Sequence, residues 1–523
     1  MKSSDKFLRG AMILTIAGLL VKVIGSVNRI LLSRLLGGEG IGLYQMAYPV
    51  YLLLLSISAA GIPVAISIIV AEYLAQRDYA NVRQVFRVSL QLMGVVGLVL
   101  AAALVMAAGW LVENGVIKDA RAYYALLALT PAIFFATILA SFRGYFQGHQ
   151  LMTPPAVSQI VEQFIRVVTM VVLAYVLLPY GLEFAAAGAA FGAVPGSLTG
   201  LVVLGGFYRY YKKQWRDEES ALPGAQLTPA RRLIKRLLLL ALPVSCANVI
   251  VPVTSSIDVL LVPKYLLAAG FSVKEATTQF GYLAGMAQPL LLMATIPTMS
   301  LATSLVPAVS EAMALKRWPL IEEKLATAMK LCCLITVPAA VGMSALAGPI
   351  SRLLYGTGEA AAAIMHSGPA IWFLGLQQVT TGMLQGMGHT NLPMLHMLAG
   401  IVAKLIAVCQ LTNAEYGIAG AAWATNINFG VTAALNILAL QYFKIKFHWL
   451  SICKIIFAAL IMGAAAQALH GLLASFNYTL ATLAALAGAG VVYAALLPLL
   501  RIISVAELKQ LPLVKKLAQK LRK

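Results

Sequence analysis

Fourteen times along this chain an apolar run long enough to cross a lipid bilayer gives way to a short polar or basic break. That alternation leaves few folds open. A hydrocarbon core of roughly 30 Å needs about 20 residues of α-helix, and within it every backbone amide must find its partner inside the protein. The runs lie near 11–33, 42–70, 84–111, 121–146, 155–180, 184–206, 235–262, 279–307, 323–347, 361–386, 393–412, 417–443, 450–473 and 478–502. They predict an all-α polytopic membrane protein with 14 transmembrane helices and both termini on one side.

Only 11% of the 523 residues are charged, yet the formal net charge is +20. Such an excess could signal nucleic acid, but the basic residues form no soluble domain. Most of the 39 Lys and Arg fall in alternate breaks, the bias expected if those breaks and both termini are cytoplasmic. Nucleic acid is therefore excluded as a partner, and membrane lipids are expected. The basic segment Arg209–Arg236 also carries the acidic run 217–219. The tail ELKQLPLVKKLAQKLRK is either a basic helix lying on anionic lipid or a solvated topology anchor. The first apolar run holds Lys22 and Arg29, unlike a removable signal peptide. Cys246, Cys332, Cys333, Cys409 and Cys453 all fall in or beside apolar runs, with neither a disulfide framework nor a zinc pattern. No Walker A, HExxH or GxSxG motif occurs, so no cofactor, firm metal site or enzymatic activity is expected.

The chain is doubled. EYLAQRDY (72–79) returns as EAMALKRW (311–318), an offset of 239, and PAIFF (131–135) returns as PAIWF (369–373), an offset of 238. Phe146-Gln147-Gly148 pairs with Leu384-Gln385-Gly386 at that second offset, which also places Pro155 on Pro393 and Arg166 on Lys404. GAAF (188–191) recurs as GAAW (420–423). Each copy holds six spans, so both enter the membrane in the same sense, an arrangement that packs two lobes about a central cavity in transporters. The expected divisions are an N-lobe at 1–206, a cytoplasmic linker at 207–234, a C-lobe at 235–443, a C-terminal helix pair at 444–502 and a basic tail at 503–523. Gly61, Pro63 and Pro297 interrupt two spans, either as hinges for alternating access or as static kinks.

Charges inside the spans are the functional candidates. Gln159, Glu162, Gln163 and Arg166 follow helical spacing on the fifth span, as do Lys22, Ser26, Arg29 and Ser33 on the first. A charge at a span centre costs roughly 2.5–3.5 kcal/mol on insertion scales, so these faces turn toward protein or a wet cavity. Glu162 and Arg166 could simply pair across one helical turn, but that leaves Lys22, Arg29 and Lys404 unexplained. A cationic cavity for an anionic substrate accounts for them, since guanidinium suits phosphate and lysine adds a mobile point charge. Asp258 is a candidate for Na+ or H+ coupling, with Thr425 and Asn426 as neutral oxygen donors; the alternative is a partner for Arg29. RGYFQGHQ (143–150) and QGMGHTN (385–391) read first as structural turns, with His149 and His389 as gating candidates.

LLVKVIGSVNRILLSRLLGGEGIGLYQMAYP (19–49), GIPVAIS (61–67), RGYFQGHQLMTPPAVSQIVEQFIRV (143–167) and LPYGLEFAAAGAA (178–190) resemble the stage V sporulation protein B family of polysaccharide-transport proteins. That family belongs to the multidrug, oligosaccharidyl-lipid and polysaccharide exporter superfamily. The resemblance implies a bacterial cytoplasmic-membrane flippase for an undecaprenyl-pyrophosphate-linked saccharide, with the peptidoglycan precursor lipid II as the leading cargo. It further implies alternating access through a cationic cavity, helices 13 and 14 seating the lipid tail, and cell-wall synthesis proteins as partners. Relatives that flip lipid II carry SRxxGFxRD in the first helix. Here VKVIGSVNR stands in its place, with Lys22 at the first arginine and Asn28 and Arg29 at the Arg-Asp pair, and Gln288 is neutral where those relatives have arginine. A multidrug antiporter would want an acidic, aromatic cavity instead. A membrane-embedded glycosyltransferase would want clustered outer acids, whereas Glu39, Glu113, Asp119, Glu183, Glu275, Glu359 and Glu415 stand singly in the sequence.

Overall fold

A computed structural model describes residues 3–59, 61–219, 227–443, 445 and 449–502, and every regular element among them is helical. Residues 220–226 of the linker and the basic tail 503–523 lie outside the described residues. The chain divides into two compact units, Met1–Gly285 and Met286–Lys523.

The first unit opens with α1 (Ser3–Ala59), 57 residues that cover the first expected span and most of the second. α1 is two helices that meet across a kink. It changes course at Gly37, whose φ of 65° and ψ of −172° a side chain would oppose. Next come α2 (Ile62–Ala75), α3 (Tyr79–Glu113), α4 (Ala122–Gly148), α5 (Thr153–Leu177), α6 (Leu182–Phe191), α7 (Ala193–Glu219), α8 (Ala230–Ala268) and α9 (Val273–Phe280). Gly61 separates α1 from α2. A β-carbon there would lie 2.1 Å from the Ala241 carbonyl oxygen, and the Gly61 N–H donates to Ser245 Oγ at 3.1 Å. Pro63 therefore sits in the first turn of α2, where its missing N–H costs nothing, at an interruption of the kind the sequence suggested.

Two glycine stripes set the packing of this unit. Gly188, Gly192, Gly196 and Gly200, four residues apart along α6 and α7, press onto α5. β-Carbons at the middle two would lie 2.3 Å from Met170 Cγ and 2.9 Å from Arg166 Cβ. Small residues at this spacing let helices in lipid approach closely. Likewise Gly38 and Gly42 of α1 cross Gly281 and Gly285, where a π-helical turn (Gly281–Ala287) follows α9. A β-carbon on Gly281 would meet the Gly38 carbonyl oxygen at 1.9 Å. The wide turn presents carbonyls sideways: Gln45 Nε2 donates to Ala284 at 2.6 Å and Ser33 Oγ to Gly285 at 3.3 Å.

At this crossing two of the seven acids that stand singly in the sequence, Glu39 and Asp119, come together. Arg121 donates to both oxygens of Asp119 (Nε–Oδ1 3.0 Å, Nη2–Oδ2 2.8 Å) and reaches Glu39 at 2.6 Å; Thr277 donates to Asp119 at 2.8 Å, and Lys274 lies 3.5 Å from Glu39. Burial alone would raise the Asp119 carboxyl, but the Arg121 and Thr277 hydrogen bonds outweigh it and hold the group below the usual carboxylate range.

The second unit contains α10 (Gln288–Ala294), α11 (Ile296–Ala314), α12 (Trp318–Ala345), α13 (Ala347–Tyr355), α14 (Ala361–Ser367), α15 (Pro369–Gly386), α16 (Asn391–Leu411), α17 (Gly417–Tyr442), α18 (Trp449–Leu473) and α19 (Tyr478–Leu499). A 47° bend at Thr295 leads into α11, and Pro297 occupies the first turn of that helix, again a helix start. The last two helices pack on each other, and α18 also packs along α12.

Packing repeats with the sequence. Gly144 would place a β-carbon 2.7 Å from the Pro63 carbonyl oxygen, and Gly382 one 2.7 Å from that of Ala302. Gly148 meets Val70 and the Ser67 carbonyl, just as Gly386 meets Val309 and the Val306 carbonyl. At a third site the partners trade places: Gly97 faces Thr137, while Thr336 faces Gly375. These pairs keep the offset of the sequence repeat. Ten described helical segments are long and apolar enough to cross a membrane, eleven counting the bent pair at Thr295 as one span. The count falls below the expected fourteen because Ile16–Ala75 counts as one segment despite the Gly37 kink and the Gly61 break, because the run 361–386 divides at Gly368 into α14 and α15, and because α17 interrupts its apolar run with Thr425, Asn426, Asn428, Thr432 and Asn436.

Candidate functional site

The charged face of α5 opens into a cavity of about 450 Å³ within the first unit. Its walls come from α1 (Tyr51, Ser56), the start of α2 (Pro63), α4 (Arg143, Gln147) and α5 (Gln159, Glu162, Arg166), among apolar neighbours. Glu162 is the hub. Its Oε1 accepts from Arg166 at 2.7 Å and its Oε2 from Arg143 at 2.6 Å. The three side chains are only 13–21% exposed, so their attraction is weakly screened and breaking one link would be costly.

Two guanidinium groups share one carboxylate, which leaves the cluster with one unit of positive charge. Arg143 Nε and Arg166 Nε are buried without a hydrogen-bond partner, as is the Tyr51 hydroxyl. Buried donors of this kind normally have partners. The wall is thus richer in donors than in acceptors, the chemistry of an anion site.

An aromatic ladder runs from this cavity along α1. Tyr51, Tyr48 and Tyr44 follow one another at ring separations of 5.8 and 5.3 Å, and the Arg29 guanidinium lies 5.5 Å from the Tyr48 ring centre. Arg29 is therefore held over an aromatic face. Asn28 and Gln163 serve the α1–α5 contact: Asn28 Nδ2 donates to Met170 Sδ at 3.3 Å, and Gln163 Nε2 lies against Gly25. Ser26 is half-buried and Lys22 exposed on α1, and neither lines the cavity.

Of the predicted residues, the cavity gathers Gln159, Glu162, Arg166 and the hinge candidate Pro63. It adds Arg143, which sequence reasoning had placed in a turn motif. Lys404, at the repeat position of Arg166, is buried in α16 of the second unit at 1% exposure. There the positions matching Glu162 and Arg143 are Gly400 and Thr381. At Thr381, Asn436 Nδ2 donates to the Thr380 and Thr381 hydroxyls at 3.1 Å each, and Asn436 Oδ1 lies 2.7 Å from His396 Nδ1. Asp258 is buried in α8 at 3% exposure. In α17, Thr425 bonds the Ala421 carbonyl at 3.4 Å and Asn426 that of His366 at 2.8 Å. No cluster of metal-ligating side chains occurs among the described residues.

Repeated bundles of apolar helices, with a charged cavity inside one of them, define a multi-pass membrane transporter. Known proteins agree. The sequence profile described as "Polysaccharide biosynthesis protein" matches residues 7–313, and a second profile, MatE, matches residues 283–408. The chain is 32% identical to stage V sporulation protein B of Bacillus subtilis (strain 168), covering 98% of this chain and 99% of that protein. It is 27% identical to the lipid II flippase MurJ of the same organism, covering 77% of each. Among solved structures, lipid II flippase MurJ in an inward closed conformation aligns with a TM-score of 0.69 at 15% identity, covering 93% of this chain and 98% of that one. An inward-facing multidrug resistance MATE family transporter aligns at 0.65 and 16% identity, covering 81% and 94%. The chain belongs to the polysaccharide biosynthesis protein family, within the multidrug, oligosaccharidyl-lipid and polysaccharide exporter superfamily, and it is a transporter rather than an enzyme.

Proposed function

We propose that this protein carries a saccharide linked to a lipid by a pyrophosphate, with lipid II as the leading candidate, from the inner to the outer leaflet of a bacterial cytoplasmic membrane. The observation that carries the proposal is the Arg143–Glu162–Arg166 cluster, a net-positive, donor-rich wall on a cavity between spans. A pyrophosphate supplies the acceptors that the wall lacks. Lys22, Arg29 and Lys404 are further candidate cations for that substrate, and the breaks at Gly61, Pro63 and Pro297 are the candidate joints for alternating access. The basic bias of alternate breaks supports a cytoplasmic side for both termini, and Asp258, with Thr425 and Asn426, is the candidate for Na+ or H+ coupling. Relatedness to stage V sporulation protein B and to a lipid II flippase supports this cargo class.

Reconstitution in proteoliposomes tests it, by following translocation of a lipid-linked oligosaccharide against a lipid phosphate without sugar. The oligosaccharide should cross in a protein-dependent way. Failure to move it, together with extrusion of cationic dyes, would favour the second reading, an ion-coupled multidrug antiporter, for which the resemblance to MATE transporters and the Tyr44–Tyr48–Tyr51 ladder speak.

A further inference from the structure

Glu162 is more than half of an ion pair. One carboxylate divides its two oxygens between arginines from different helices, so the anion that those arginines are built to receive is already supplied by the protein itself. At the corresponding positions the second copy of the repeat has Gly400 and Thr381, so the shared carboxylate is a feature of the first copy. We infer that Glu162 is a built-in competitor for the cargo's phosphate, which must displace the carboxylate from Arg143 and Arg166, making the cavity selective for dianions.

Charge decides the exchange. A monoanion offers the two guanidinium groups nothing that Glu162 does not already provide, whereas a phosphate dianion brings more charge and a further oxygen to the same forks. Discrimination then arises from competition, without a pocket shaped to the rest of the ligand. The displaced carboxylate has somewhere to go. Tyr51 lies on the same cavity with its hydroxyl buried and unbonded, and the side chains of Gln147 and Gln159 also line it.

This inference rests on the anionic-cargo reading, and titration of the purified full-length protein with inorganic pyrophosphate separates the two. In Glu162→Gln the affinity should rise about tenfold or more, since a charged competitor has been replaced by a neutral one, and acetate should begin to compete where it does not in the unaltered protein. Glu162→Asp, whose shorter side chain cannot span both arginines, should fall between them and covers the case in which the glutamine variant does not fold. Equal or weaker pyrophosphate binding by a folded Glu162→Gln would overturn the inference and reduce Glu162 to a residue that positions the arginines. No binding by any folded form, the unaltered protein included, would overturn the anionic-cargo reading itself.

Discussion

Arg143 on α4 donates to Glu162 on α5 at 2.6 Å, joining two helices through a charge placed where lipid would reject it. Glu162 is also the partner of Arg166, so the three residues are not equivalent. Removing Arg143 leaves a neutral pair, but removing Glu162 leaves two buried guanidinium groups facing each other. Glu162→Leu should therefore destabilise the protein more than Arg143→Leu, with a cost on the order of 3–5 kcal/mol for a broken buried pair. Thermal unfolding of the two variants in one detergent checks the ranking, and equal losses would contradict it.

The glycine stripe behind α5 holds the backbone that carries both charges. A β-carbon on Gly196 would come within 3.0 Å of the Glu162 carbonyl oxygen, whereas Gly206, further along the same helix, has nothing within 4 Å. Gly196→Val should cost about 1–3 kcal/mol through overpacking. Gly206→Ala should be tolerated. Melting temperature and the yield of monodisperse protein report both, and parity between the variants would show that α5 can shift freely.

Asp119 gives stability a defined pH window. Its carboxyl is held below the ordinary range in the folded chain, so its contribution is complete above the unfolded value, near 4, and is lost only as pH falls through the lower folded value. The melting-temperature difference between the unaltered protein and Asp119→Asn should stay constant from neutral pH to about 5 and close in stronger acid. A difference that vanished near pH 6 would rule this out.

His149, at the C-terminal end of α4, acts in a higher window. Burial pushes its imidazole down to about 4. As pH falls from the unfolded value of about 6.5 toward 4, the unfolded chain binds a proton that the folded chain refuses, and stability drops. His149→Leu should flatten the melting curve over that interval. An unchanged slope would mean that the imidazole is protonated in place.

Much of this was legible in the chain because it depends on local period. The apolar runs gave the helices, the constant offset gave the doubled packing of Gly144 on Pro63 and Gly382 on Ala302, and the spacing of Gln159, Glu162 and Arg166 gave the charged face. Arg143 was hidden because its motif reads as a helix end, whereas α4 continues to Gly148 and the partner lies 19 residues away. Glu39, Asp119, Arg121 and Lys274 were hidden for the same reason, since only folding brings their separate segments to one crossing. Hydropathy also cannot see a single backbone torsion. The non-helical torsion at Gly37 kinks α1 between the first two expected spans.

The central claim is that two arginines make this cavity a phosphate carrier, and one assay addresses it directly. Translocation of a lipid-linked pyrophosphate oligosaccharide is measured in proteoliposomes holding equal amounts of folded protein, unaltered or with Arg143→Gln and Arg166→Gln combined. The account predicts that the double variant falls to the rate of protein-free vesicles; transport at the unaltered rate would contradict it.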